Sequence, residues 1–207
     1  MLAVITADVV QSAKTEPQLL KRAQTYMQER IALLREHDLG NGELYRGDGI
    51  QIALREPHRA LDCMLELGAY LAYLGIKLTL SVAVAEGQLS QSVGVSQGPA
   101  FTLSGRTLDQ ASRGQWLFTS SHPQLSAEFD CTLDLIGFLV QQWTPKQSEV
   151  IHYWLTHERC DQQTIAKGLQ MTPQNVSLHW RKAAGPQLVR CLEQFEKRCK
   201  SRLEPVK

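Results

Sequence analysis

Apolar and polar positions change period several times along this chain, and each change marks an element. Residues 2–7 form an apolar run suited to a strand buried on both faces. From Glu16 to His37, Leu19, Leu20, Ala23, Tyr26, Met27, Ile31 and Leu34 recur at helical spacing with charge between them. Gly40-Asn41-Gly42 reads as the turn ending that helix. A hairpin follows, with strands at 43–46 and 50–54 around the tight turn Gly47-Asp48-Gly49. Pro57 opens a helix to about Leu74, and Leu78, Leu80, Val82 and Val84 then alternate with Lys77, Thr79 and Ser81 in a strand over 76–85. A Gly/Ser/Gln-rich loop at 87–98 leads into a helix over 99–112, a strand over 115–119 and a short helix over 133–143.

This order, β-α-β-β-α-β with additions, predicts an α+β fold of ferredoxin-like type: an antiparallel sheet with helices on one face. After Trp143 the pattern becomes all-helical. Thr144-Pro145, Asp161 and Thr172-Pro173 each read as a cap at the start of a helix. Gly185-Pro186 breaks the third before a basic amphipathic helix from Gln187 to about Leu203. Two modules are expected, 1–130 and 131–207.

Charge sharpens that division. Residues 145–207 carry eleven Lys/Arg against six Asp/Glu, whereas the first 144 residues carry eleven against fifteen. The second module is therefore the one suited to a polyanion. Five cysteines, odd in number and without a C-x-x-C pair, point to reduced thiols in a cytoplasmic protein rather than a disulfide framework or zinc site. No run of eighteen apolar residues is present, so no membrane span is expected.

Within the second module, residues 162–177 have helix-turn-helix spacing. Ala166 lets two helices approach, and Leu169, Met171 and Val176 fill the angle between them. The outer face of the second helix is Gln174, Asn175, Ser177, Leu178, Arg181 and Lys182. Amides there would read base edges, and cations would hold phosphate or guanine of double-stranded DNA. The segment resembles the tetrahelical helix-turn-helix of bacterial regulators, with Gln170 at the turn position that glycine usually fills. A helical bundle used for dimerisation is the competing reading.

In the first module Ala7-Asp8-Val9-Val10-Gln11-Ser12 and Arg46-Gly47-Asp48-Gly49-Ile50-Gln51 each place an aspartate at a strand tip, where two carboxylates suit a hard divalent cation. With Gly98-Pro99-Ala100-Phe101-Thr102-Leu103-Ser104-Gly105-Arg106 they look like three successive motifs of the SatD family, itself similar to class III nucleotide cyclases. The resemblance covers roughly residues 1–120. It implies Mg²⁺ or Mn²⁺ on Asp8, Asp48 and the Val9 carbonyl, and a nucleotide against Gln11, Ser12, Gly47 and Arg106. Arg106 would steady charge if any catalysis remains, and both modules imply a homodimer.

The departures are specific. Leu44 and Val95 stand where base-reading polar residues are expected, Thr102 replaces an asparagine, and Gln11 replaces a glycine. The expected function is a DNA-binding transcriptional regulator with a degenerate, nucleotide-sensing cyclase-like module. One alternative is a divalent-metal-dependent nucleotidyl cyclase or related phosphoryl-transfer enzyme with an accessory helical module. The other is an interaction module in which neither site is live, Asp8 and Asp48 merely shaping turns.

Overall fold

The computed structural model describes residues 1–45 and 47–203. Five strands, β1 (Leu2–Val9), β2 (Gly40–Tyr45), β3 (Gly49–Leu54), β4 (Leu78–Ala85) and β5 (Trp116–Ser120), form one sheet in the order β2-β3-β1-β4-β5. Between β1 and β2 lies α1 (Pro17–Glu36), between β3 and β4 lies α2 (Ala60–Tyr73), and α3 (Pro99–Gln110) precedes β5. Then come α4 (Pro123–Val140), α5 (Pro145–Thr156), α6 (Gln162–Gly168), α7 (Pro173–Lys182) and α8 (Gly185–Leu203). Among the described residues no helix is long and apolar enough to cross a membrane.

Two features of the expected sheet are corrected. β1 pairs antiparallel with β3 and β4, but β5 pairs parallel with β4, so the sheet is mixed. Helices also cover both faces. Ala3, Ile5, Ala7 and Val9 join Met27 and Ile31 of α1 and Met64 and Leu65 of α2 in the main core. On the opposite face Leu2, Val4, Ala53 and Ala85 pack with Ala100 of α3. This double coverage explains why the first apolar run has no polar alternation.

Gly40-Asn41-Gly42 is not a turn but the start of β2, and all three residues are buried. The glycines serve close approach: a Cβ on Gly42 would lie 2.8 Å from the Ile31 side chain, and one on Gly40 would overlap the Ala53 carbonyl oxygen. Asn41 is satisfied by donating to the Gln91 carbonyl (2.7 Å) and accepting from the Gly42 N–H (2.8 Å) and Arg35. The turn that ends α1 falls earlier, at Asp38, in the left-handed region (φ 51°).

The expected 133–143 helix begins ten residues sooner, at Pro123, and residues 130 and 131 are consecutive members of α4. One apolar cluster extends from Ala3 on β1 to Cys199 on α8. Phe118 of β5, Phe129 of α4 and Phe195 of α8 meet edge to face, with centroids 5.0–6.2 Å apart. Trp116 is 1% exposed and donates from Nε1 to the Leu78 carbonyl (3.0 Å). Its ring is clamped between two glycines: a Cβ on Gly137 of α4 would lie 2.5 Å from it, and one on Gly68 of α2 would overlap it.

The three predicted caps are present. Thr144 and Gln147 form a capping box, Asp161 accepts from the Thr164 N–H (2.8 Å), and Thr172 accepts from the Asn175 N–H (3.2 Å). Gly185-Pro186 is not the break; it lies in the first turn of α8, and the chain turns at Ala184 (φ 60°) instead.

A polar network ties α1, α2 and α5 together. Arg30 grips Glu66 with two bonds (2.6 and 3.1 Å), and Tyr26 donates its hydroxyl proton to Glu66 (2.6 Å). His152 Nε2 lies 2.8 Å from the same hydroxyl. With that proton committed to Glu66, neutral His152 donates from Nε2. Burial, then the Arg30 and His157 charges, lower His152 to about 4. Burial raises Glu66 above its ordinary value.

Two outcomes follow from this packing. Gly68→Ala and Gly137→Ala each force the Trp116 ring aside and lower the unfolding free energy by about 1–3 kcal/mol, measured by urea melts. Below pH 6.5 the unfolded chain protonates His152 first, so the folded state loses ground until about pH 4. Relative to His152→Gln, whose comparison leaves the opposing Glu66 titration in both proteins, the parent loses up to about 3 kcal/mol across that window.

Candidate functional site

The first candidate site is built where β1 and β3 end together. The register sets Asp8 opposite Gly49 on one side and Thr79 on the other. The Val9 N–H donates to the Asp48 carbonyl (3.2 Å), closing the two strand ends, and Ser12 Oγ donates to Asp48 Oδ2 (2.5 Å). Asp8, Val9, Ser12 and Asp48 are thus brought to one corner, and both aspartates are half-buried. Gly47 makes the turn in the left-handed region (φ 82°), and Gln24 of α1 donates to its carbonyl. Gly49 is required by crowding: a Cβ there would lie 2.8 Å from Asp8 Oδ1 and 2.5 Å from the Tyr45 ring. The missing side chain lets the Asp8 carboxylate lie over the β3 backbone.

Gln11 is exposed and holds the loop in the left-handed region (φ 56°), where a glycine would sit at lower cost. Among the described residues no group of three or more His, Cys, Asp and Glu side chains is placed to hold a metal. A cation at this corner would meet the carboxylates of Asp8 and Asp48, oxygen donors of the kind hard divalent ions take. That donor set suits a hard ion such as Mg²⁺ or Mn²⁺.

Arg106 is not part of this corner's bonding; it is exposed on α3. The helix itself is anchored by polar contacts that sequence reasoning missed. Thr6 Oγ1 and Ser104 Oγ are 2.6 Å apart, Ser81 Oγ donates to the Ser104 carbonyl (2.7 Å), and Gln51 donates to Thr6 Oγ1 (3.1 Å). Thr6 shares a face of β1 with Asp8, so this zipper fixes α3 beside the aspartate corner. The available signal was Thr6 and Ser81, polar residues at the buried centre of otherwise apolar strands. Of the two base-reading positions, Leu44 is half-buried on β2 and Val95 is 63% exposed; Thr102, at the asparagine position, is exposed on α3.

The second candidate site is the α6–α7 pair. Ile165 and Ala166 of α6 and Val176 and Trp180 of α7 are buried, with Trp180 edge-on to Trp154 of α5 at 5.0 Å. The Met171 N–H donates to the Ala166 carbonyl (2.9 Å), and Gln170 takes the left-handed turn conformation (φ 52°). Gly168, two residues before that turn, has a separate cause: a Cβ there would overlap the Tyr153 ring. With one face of α7 spent on the core, Gln174, Asn175, Leu178, Arg181 and Lys182 are exposed, and Ser177 is half-buried among them.

No family model matches this chain, and no curated protein matches it either, so the SatD likeness rests on the three motifs. Among solved structures it is similar to the guanylyl cyclase Cya2, at 16% identity and TM-score 0.40, over 56% of this chain and 73% of that one. It is also similar to the adenylyl cyclase CyaB from P. aeruginosa, at 14% identity and TM-score 0.39, over 56% of this chain and 75% of that one.

Proposed function

We propose that this chain is a DNA-binding regulator that acts as a homodimer. In this reading α6 and α7 form a helix-turn-helix, and the cyclase-like sheet module senses a nucleotide through a divalent ion. The observation that carries it is the two-sided character of α7. Val176 and Trp180 anchor one side, while Gln174, Asn175, Arg181 and Lys182 are left to solvent on the other. An amide-and-cation surface on a short helix, held at a left-handed turn, has the chemistry to enter a major groove. The eleven Lys/Arg against six Asp/Glu over residues 145–207 supply attraction to phosphate.

For the sheet module, support comes from two aspartates on adjacent strand ends, bridged by the Val9–Asp48 bond and steadied by Ser12. An ion bound there would compete with the Ser12 hydroxyl for Asp48 and so pull on the loop into α1. Leu44 and Val95, at the base-reading positions, offer no polar group for choosing a base. That favours a sensor of the polyphosphate end of a nucleotide over a selective cyclase. The enzyme reading keeps one supporting observation, the carboxylate pair itself, which two-ion phosphoryl chemistry uses.

Two experiments decide between these readings. Asn175→Ala should lose about 1–3 kcal/mol of discrimination between preferred and unrelated duplexes, whereas Arg181→Ala should weaken binding to all duplexes and flatten the salt dependence. Variants that shift duplex DNA as the parent does would sink the DNA reading. Nucleoside triphosphate with Mg²⁺ or Mn²⁺ should raise the melting temperature of the parent and not of Asp8→Ala, without turnover to a cyclic product. Product formed by the parent and lost in Asp48→Asn would install the enzyme reading instead.

A further inference from the structure

We infer that the solvent side of α4 docks a second copy of this chain, the two α4 helices lying parallel about a two-fold axis. The inference rests on the homodimer of the reading above and names the surface that makes it.

α4 is apolar on two opposite sides. Leu125, Phe129, Leu133, Ile136 and Val140 face the core. Ala127, Cys131, Leu135 and Phe138 recur at three- and four-residue spacing on the other side and are exposed. Leu135 and Phe138 are 63% and 65% exposed, a large outlay of apolar surface for one helix. A helix apolar on both sides is one that is covered on both. Within a single copy only the inner side is. Uncharged Gln124 and Gln142 extend the exposed stripe at its two ends, so no charge along its centre would lose water on docking.

Charge at the margins selects the occupant and its direction. α4 carries no Lys or Arg. Helical spacing sets Asp130 and Asp134 along one flank of the stripe and Glu128 along the other. Asp134 accepts from the neutral Gln115 amide (3.2 Å), so the first flank is acidic. On the second flank Glu128 meets two guanidiniums of α8, Arg198 (3.5 Å) and Arg202. Two cations over one carboxylate leave that flank cationic.

A surface that docks on its own copy must be complementary to itself. A two-fold axis parallel to the helices turns each copy half a circle. The acidic flank of one then meets the cationic flank of the other, and the contact is made twice. A two-fold axis perpendicular to the helices would set each flank against itself, acid on acid. A foreign helix would need an acidic margin on one side and a basic one on the other, which α4 with its α8 neighbour already has. Exposed pairs of this kind add little affinity. They choose the orientation, and the apolar stripe supplies the attraction. Gln124, Cys131 and Phe138 lie seven residues apart, so in the parallel register each meets its own counterpart.

The test uses the full chain, by sedimentation equilibrium and by copper-phenanthroline oxidation of thiols. The parent should be a dimer at micromolar concentration and should cross-link through Cys131. Phe138→Asp should weaken the dimer tenfold or more; Phe138 is exposed, so the variant keeps its fold. Asp130→Arg should weaken it too, by a factor that shrinks as salt is added. Cys131→Ser should lose the cross-link, and Gln124→Cys added to Cys131→Ser should restore it. An antiparallel pair that joins Cys131 to its counterpart holds the two 124 positions far apart. The proposal is overturned if the parent is a monomer, if Phe138→Asp associates like the parent, if Cys131→Ser still cross-links, or if Gln124→Cys does not restore the bond. A dimer that survives Phe138→Asp strikes this surface alone and leaves the regulator's homodimer standing, while duplex binding is read separately through Asn175→Ala and Arg181→Ala.

Discussion

The attachment of β5, α4 and the last helix to the central strands depends on one wedge: the indole of Trp116 between Gly68 and Gly137. β5 is the edge of the sheet and joins it by a single parallel ladder to β4. The indole adds a bond from Nε1 to the Leu78 carbonyl and fills the space two glycines leave open, fixing β5, α2 and α4 to one another. From that fixed point α4 carries Phe129 to Phe118 and Phe195, which seats α8. The C-terminal helices are thereby an extension of the sheet's own core, and the Tyr26–Glu66–His152 network adds a second, polar fastening through α5.

The aspartate corner shows how few local contacts bring two side chains together once two strand ends are fixed. β1 is central and buried, so Asp8 emerges at a place set by the whole sheet. Asp48 is placed by a short hairpin turn whose carbonyl pairs with Val9, and Gly49 is small because Asp8 occupies the space its side chain would need. A corner specified this way can keep its shape while the surrounding residues change.

Much of this was legible in the sequence, for identifiable reasons. Thr144, Asp161 and Thr172 announced helix starts because an N-cap is a local event, decided within four residues. Asp8 and Asp48 stood out because a strand tip and a Gly-Asp-Gly turn are also local. The parallel pairing of β5, the placement of α3 on the far face and the Thr6–Ser104 contact involve residues far apart in the chain, and no short-range pattern reports them. Gly40 and Gly42 misled for the same reason: a glycine needed for close approach to Ala53 or Ile31 looks identical to one needed for a turn. Pro123 with Leu125 and Phe129 did carry a local signal for α4, and the expected helix began too late past it.

The reach of the apolar cluster from Ala3 to Cys199 bears on how such a chain is made. A protein of separable units can complete its first unit while the ribosome is still translating the second. Here Phe118 lacks its Phe195 neighbour until the middle of α8 has been synthesised. The nascent sheet stays partly bare over that stretch, and α4 is the element that spans its beginning. In such a chain the later helices cover apolar surface that the earlier strands expose, and until they arrive a chaperone would have most to shield.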